Sequence, residues 1–104
     1  ALGIASAKRD PLLPDVPTVA ESGLPGFEIS GWYGIFAPIQ TPRPVVAKIS
    51  TEIDRLLATP EVRASLAKIG VNVLGGSAGQ FAAYVTREDA KWSKAIRDAG
   101  VRVE

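Results

Sequence analysis

Apolar residues recur at helical spacing through the second half of the chain and hardly at all through the first. Val45, Ile49, Ile53, Leu56 and Leu57 fall three and four apart, which predicts an amphipathic helix with one apolar stripe. Thr41 precedes it as a cap, and Pro42 and Pro44 are tolerable in a first turn. Thr59-Pro60-Glu61 predicts a second start: a cap, a first-turn proline and an acid at the positive end of the dipole. Val62, Leu66 and Ile69 carry that helix's apolar face, and Gly70 ends it. Ser77-Ala-Gly-Gln80 is a capping box, in which each side chain satisfies a backbone N–H of the other residue. It opens a long helix to about Ala99, with a stripe of Phe81, Val85, Trp92 and Ile96, Tyr84 beside it, and Gly100 after it.

The first part has another texture, because seven of the eight prolines lie between residues 11 and 44. Leu2 to Ala7 is a short apolar run that predicts a buried strand, ending at Lys8-Arg9-Asp10-Pro11. Pro11, Pro14 and Pro17 then exclude regular structure until Thr18. Thr18-Val-Ala-Glu21 is another capping box, and Gly23 suits a left-handed stop, so a short helix is expected over 18–22. After the Pro25-Gly26 turn, Phe27 to Pro38 alternates and then becomes continuously apolar from Trp32, which predicts a strand buried on both faces. Val71 to Leu74 predicts a further short strand, and Val101 to Val103 an edge strand. Strands alternating with helices imply an α/β fold, with helices packed on a small mixed sheet.

Composition narrows the function more than the fold. The 104 residues predict one domain, with a core that buries roughly 65% of the unfolded chain's surface. A hydrophobic fraction of 46% and a charged fraction of 22% argue against wholesale disorder. The net charge of +1 argues against a dedicated nucleic-acid binder. His, Cys and Met are absent. That removes the usual zinc, copper and haem ligands, the thiol nucleophile, the imidazole base and any disulfide. Neither a metal nor a cofactor is expected. The missing Met suggests a chain that starts after processing, at a cloning boundary, or without an upstream portion. No apolar run approaches the length of a membrane span.

Each candidate for chemistry has a plainer reading beside it. Gly75-Gly76-Ser77 ahead of a helix has the donors for an anion, but a turn with a filled N-cap explains the same residues. Lys8-Arg9 follows the first strand, where open α/β sheets place ligands; a solvated basic pair facing Asp10 or Asp15 is the plainer reading. Trp32-Tyr33, between Gly31 and Gly34, offers a flat apolar wall and a hydrogen-bonding tip for a ligand cleft, or ordinary core. Arg87, Lys91 and Lys94, interleaved with the Glu88-Asp89 pair, read as a solvated helix face. Glu52 and Asp54 are two apart on a helix and point in different directions, so no acid pair is selected for hydrolysis.

Taken in order, Ala5-Ser6-Ala7-Lys8-Arg9, the Leu13-Pro-Asp-Val-Pro-Thr18 run through Gly23, Gly26-Phe-Glu28, Gly31-Trp-Tyr-Gly34, Ala37-Pro38 and Thr41-Pro42 form a distinctive series. Glu61-Val-Arg63 and the Gly75-Gly76 turn extend it. The whole chain resembles the C-terminal part of the Bug-type substrate-binding proteins, the extracytoplasmic receptors of tripartite tricarboxylate transporters. That resemblance implies a periplasmic, non-enzymatic protein about three times this length, with the type II periplasmic-binding-protein architecture of two α/β lobes closing on a small organic acid. Residues 1–104 would be a single partial domain completing lobe one. Ser6, Trp32 and Tyr33 would lie nearest the hinge and cleft, and membrane transporter subunits would be the partners. The competing class is a self-associating interaction module, in which the fragment pairs with a second copy through faces that lobe one normally covers.

Overall fold

The computed structural model describes residues 2–102. The chain divides into two compact units, Ala1–Phe36 and Ala37–Glu104.

In the first unit the expected sheet reduces to one parallel bridge between Ile4 and Thr18. The Ile4 N–H donates to the Pro17 carbonyl at 2.9 Å, and the Val19 N–H donates to the Ile4 carbonyl at 2.8 Å. Extending that ladder requires the Val19 carbonyl and the Glu21 N–H. Both are already used: Ser22 and Leu24 donate to the Val19 carbonyl at 3.2 and 3.4 Å, and the Glu21 N–H donates to Thr18 Oγ1 at 3.1 Å. The capping box thus forms as expected, but it closes a turn over 18–23 where a helix over 18–22 was predicted. Gly23 follows at φ +120°. Thr18, at 2% exposed, is the only buried residue among those described.

The predicted strands over 2–7, 27–38 and 71–74 do not form, and Val101 and Arg102 are likewise not in a strand; Val103 lies outside the described residues. Among the described residues there is therefore no small mixed sheet. Ile29 makes one lateral bond, its N–H donating to the Ala5 carbonyl at 2.8 Å. A single bond of that kind does not make a ladder.

The second unit holds the three helices in the predicted order: α1 (Arg43–Leu57), α2 (Pro60–Lys68) and α3 (Ala78–Asp98). Contacts run from α1 to both α2 and α3. Two caps differ from expectation. Pro42, not Thr41, occupies the N-cap of α1, which has no side-chain cap. Thr59 is the N-cap of α2, yet its hydroxyl donates backwards to the Leu56 carbonyl at 2.7 Å and leaves α2 uncapped by a side chain. Arg63 of α2 instead serves the end of α1, its Nε donating to the Leu57 carbonyl at 2.9 Å, one of the orphan acceptors there. The capping box of α3 forms fully, with Ser77 Oγ accepting from Gln80 N–H at 3.2 Å and Gln80 Oε1 accepting from Ser77 N–H at 2.8 Å.

The apolar stripe of α1 splits into two rows. Ile53 and Leu57, with Val46, are half-buried, while Val45, Ile49 and Leu56 are exposed. No hydrophobic side chain among the described residues is buried.

Candidate functional site

The densest polar network lies in the first unit, where Arg9, Thr18 and Glu21 meet. Arg9 reaches across twelve residues to the Glu21 carboxylate, with Nε 3.0 Å from Oε2 and 3.3 Å from Oε1, and Nη2 3.2 Å from Oε1. The remaining nitrogen, Nη1, donates to the Pro14 carbonyl at 3.1 Å. Glu21 Oε2 also accepts the Thr18 N–H at 2.7 Å. The planar guanidinium is suited to such a fork, and the bonds to ionised groups are the stronger kind. Together the Arg9 hydrogen bonds and the Thr18 N–H hold the Glu21 carboxyl down to about 2. The same Glu21 contact raises the Arg9 guanidinium further above its already high range.

Arg9 therefore takes Glu21 and the Pro14 carbonyl as its bonded partners, where the plainer reading of Lys8-Arg9 expected Asp10 or Asp15; Asp15 acts on it only as a weaker nearby charge. Asp10 Oδ1 accepts the Leu12 N–H at 2.8 Å and shapes the proline-rich loop instead. The capping-box spacing accounts for Glu21 by itself, so the sequence carried no separate signal for its second partner.

Ser6 lies just before this junction, half-buried, its hydroxyl donating to the Lys8 carbonyl at 2.8 Å. The Ile29-to-Ala5 bond joins the segment carrying Ser6 to the one carrying Trp32 and Tyr33. Trp32 is half-buried, whereas Tyr33 is 89% exposed and presents both ring and hydroxyl to solvent. Such a set can supply an apolar wall and neutral hydrogen bonds to an anion.

The candidates in the second unit have partners within it. The Gly76 N–H donates to Asp54 Oδ1 at 3.0 Å and the Ser77 N–H to Gln80 Oε1 at 2.8 Å, so these two donors ahead of α3 are taken within the unit. Glu52 and Asp54 do diverge, since Glu52 pairs with Arg55 Nη2 at 2.8 Å on the outer face. Lys94 pairs with Asp98, and Arg87 stacks over Tyr84 with its guanidinium carbon 5.9 Å from the ring centroid. Glu88 departs from its reading as a surface group. Its side chain is only 12% exposed, accepts from Lys91 at 3.0 Å and from Trp92 Nε1 at 3.0 Å, and has its carboxyl held below the usual range chiefly by Lys91. An open depression of about 250 Å³ lies between Arg63, Ala67 and the Val71-Asn72-Val73 segment. Among the described residues no three His, Cys, Asp or Glu side chains group as metal ligands, and no helix is long and apolar enough to cross a membrane.

The sequence model described as the tripartite tricarboxylate transporter family receptor matches residues 1–101. A UPF0065 protein in the tcbD-tcbE intergenic region of a Pseudomonas species is 44% identical over 97 residues, covering 92% of this chain and 29% of that protein. Among solved structures, an R. palustris protein with adipate superposes with a TM-score of 0.79 at 35% identity, covering 94% of this chain and 33% of that one. The periplasmic binding protein BugD gives a TM-score of 0.79 at 36% identity, covering 98% of this chain and 35% of that one. The chain thus shares the fold of a periplasmic-binding-protein region and spans about a third of the length of these relatives.

Proposed function

The chain belongs to the tripartite tricarboxylate transporter receptor family, and from that premise we infer that it serves solute capture, as the C-terminal segment completing lobe one of a periplasmic receptor. The observation that carries this reading is the likeness of nearly the whole chain to two solved binding proteins at about a third identity. Receptors of this family bind and do not catalyse, so no catalytic residue or cofactor is assigned.

The solute class is a small organic carboxylate, and the relative solved with adipate makes linear dicarboxylates the first acids to try. Ser6 would contribute its backbone N–H and, once its hydroxyl turns from the Lys8 carbonyl, that O–H as a second donor, Trp32 an apolar wall, and Tyr33 a hydroxyl. An anion held by neutral donors in a closing cleft needs no opposite charge, because ionic hydrogen bonds strengthen as water leaves. Lobe closure would then report occupancy to membrane transporter subunits. Thermal unfolding of the natural polypeptide carrying these residues, with succinate, glutarate, adipate, aromatic acids and amino acids in turn, tests the reading. An acid at a hundred times its Kd adds about 2.7 kcal/mol and raises the midpoint by several degrees. No shift with any of them contradicts capture.

A second reading is favoured by the exposure of Tyr33, Ile35, Phe36 and Ile39 along one uncharged run. Residues 1–104 on their own would pair with a second copy through such surfaces. Light scattering decides it, since a monomer at millimolar concentration excludes the pairing.

A further inference from the structure

The loop that carries Ser6 is fixed at both ends. On one side, Ile4 is bonded both before and after Thr18, and Ala5 accepts from Ile29. On the other side stands Arg9, the residue after Lys8, whose carbonyl takes the Ser6 hydroxyl. Arg9 distributes its nitrogens over two further segments, Nε and Nη2 on Glu21 in the turn after Thr18, and Nη1 on Pro14 in the proline-rich loop. Glu21 returns to the first clamp by accepting the Thr18 N–H. The network closes on itself through Thr18.

This arrangement is poorly explained as a stabilising salt bridge. The two side chains are 46% and 48% exposed, and ion pairs at such sites contribute little to stability. What a planar fork supplies there is direction, because its two bonds to one carboxylate and its third to a carbonyl admit a single orientation.

We propose that Arg9 is a positioning residue for solute capture, its guanidinium tying the Ser6 loop to the Thr18 turn and the Pro14 carbonyl so that the loop is set before ligand arrives. The proposal rests on the solute-receptor reading. An ordered loop does not have to be ordered by the ligand, so pre-setting it strengthens binding without any contact between Arg9 and the solute. A lysine keeps the charge and loses the fork, since one ammonium cannot hold the carboxylate side-on and reach Pro14 as well.

The test uses the natural polypeptide as wild type, Arg9→Lys, Arg9→Ala and Glu21→Gln. Amide hydrogen exchange is followed at Ile4, Val19, Ile29 and along α3, and each protein is titrated with succinate, glutarate, adipate and pimelate. The expected result is exchange about tenfold faster at Ile4, Val19 and Ile29 with α3 unchanged, and Kd about tenfold weaker for whichever acid the wild type binds. Arg9→Lys should fall with Arg9→Ala. Unchanged exchange and Kd overturn the proposal, as does a uniform rise in exchange that includes α3, which would make Arg9 a general stabiliser. Full rescue by Arg9→Lys overturns it too, because charge alone would then suffice. A wild type that binds none of the acids overturns the receptor reading, and with it any role in capture, whatever the exchange shows.

Discussion

Glu21 accepts from three backbone or side-chain groups at once, namely both arms of the Arg9 fork and the Thr18 N–H. Its folded carboxyl lies near 2, against an ordinary value of 4.5. A depressed acid of this kind contributes its stabilisation fully above its unfolded value, and loses it as pH falls through the folded one. The clasp should therefore be intact at pH 5 and above, weaken as pH drops below 4.5, and be open below about 2. Carbon-detected NMR titration of the Glu21 carboxyl checks this. The midpoint should fall near 2 in the wild type and move up towards 4.5 in Arg9→Ala; a wild-type midpoint at the ordinary value would mean the clasp does not form in solution. At this scale the sequence exposed half of the site. Thr18-x-x-Glu21 is a local spacing, and its two bonds form as read, whereas the Arg9 contact depends on how three turns fold back and leaves no periodic trace.

Helices were legible as elements because their signals are local: i, i+3, i+4 apolar spacing, first-turn prolines and glycine stops. The three longer helices expected form close to their limits, whereas the short one expected over 18–22 is a turn. The caps were less legible, since a Thr before a helix start can turn its hydroxyl either way. Ser77 faces forward into its box, while Thr59 faces back to Leu56. Ser77→Ala should accordingly cost about 1 kcal/mol and Thr59→Ala less than about 0.5 kcal/mol. Urea unfolding of the two variants of the natural polypeptide checks the contrast, and equal losses would deny that only one cap is working. The strands were not legible in the same way, because a strand exists only where a neighbour accepts its ladder. Residues 2–7 have such a pattern, but the turn at Thr18 uses the groups that would have continued their single bridge, and residues 27–38 and 71–74 gain no ladder either.

For the whole molecule, composition anticipated a modest core, and the described residues contain no buried hydrophobic side chain. Val45, Ile49 and Leu56 project as an exposed row on α1. In a receptor about three times this length, that row is where the rest of lobe one would pack, with about 1 kcal/mol gained for each side chain whose exposed half becomes covered. Ile49→Glu should then cost residues 1–104 alone no more than about 0.5 kcal/mol, yet cost the natural polypeptide about 2 kcal/mol. Denaturant unfolding of both forms separates the two, and equal effects would place the row at the surface of the working protein. The same proportion explains why the ligand was not legible here, as most of the relatives' length lies outside the matched region.

Solute capture itself is tested most directly by isothermal titration calorimetry of the natural polypeptide with succinate, glutarate, adipate and pimelate. Saturable binding of at least one of these acids at one site per chain is expected, weakened by Ser6→Ala and Tyr33→Ala. The absence of saturable heat with every acid would contradict it.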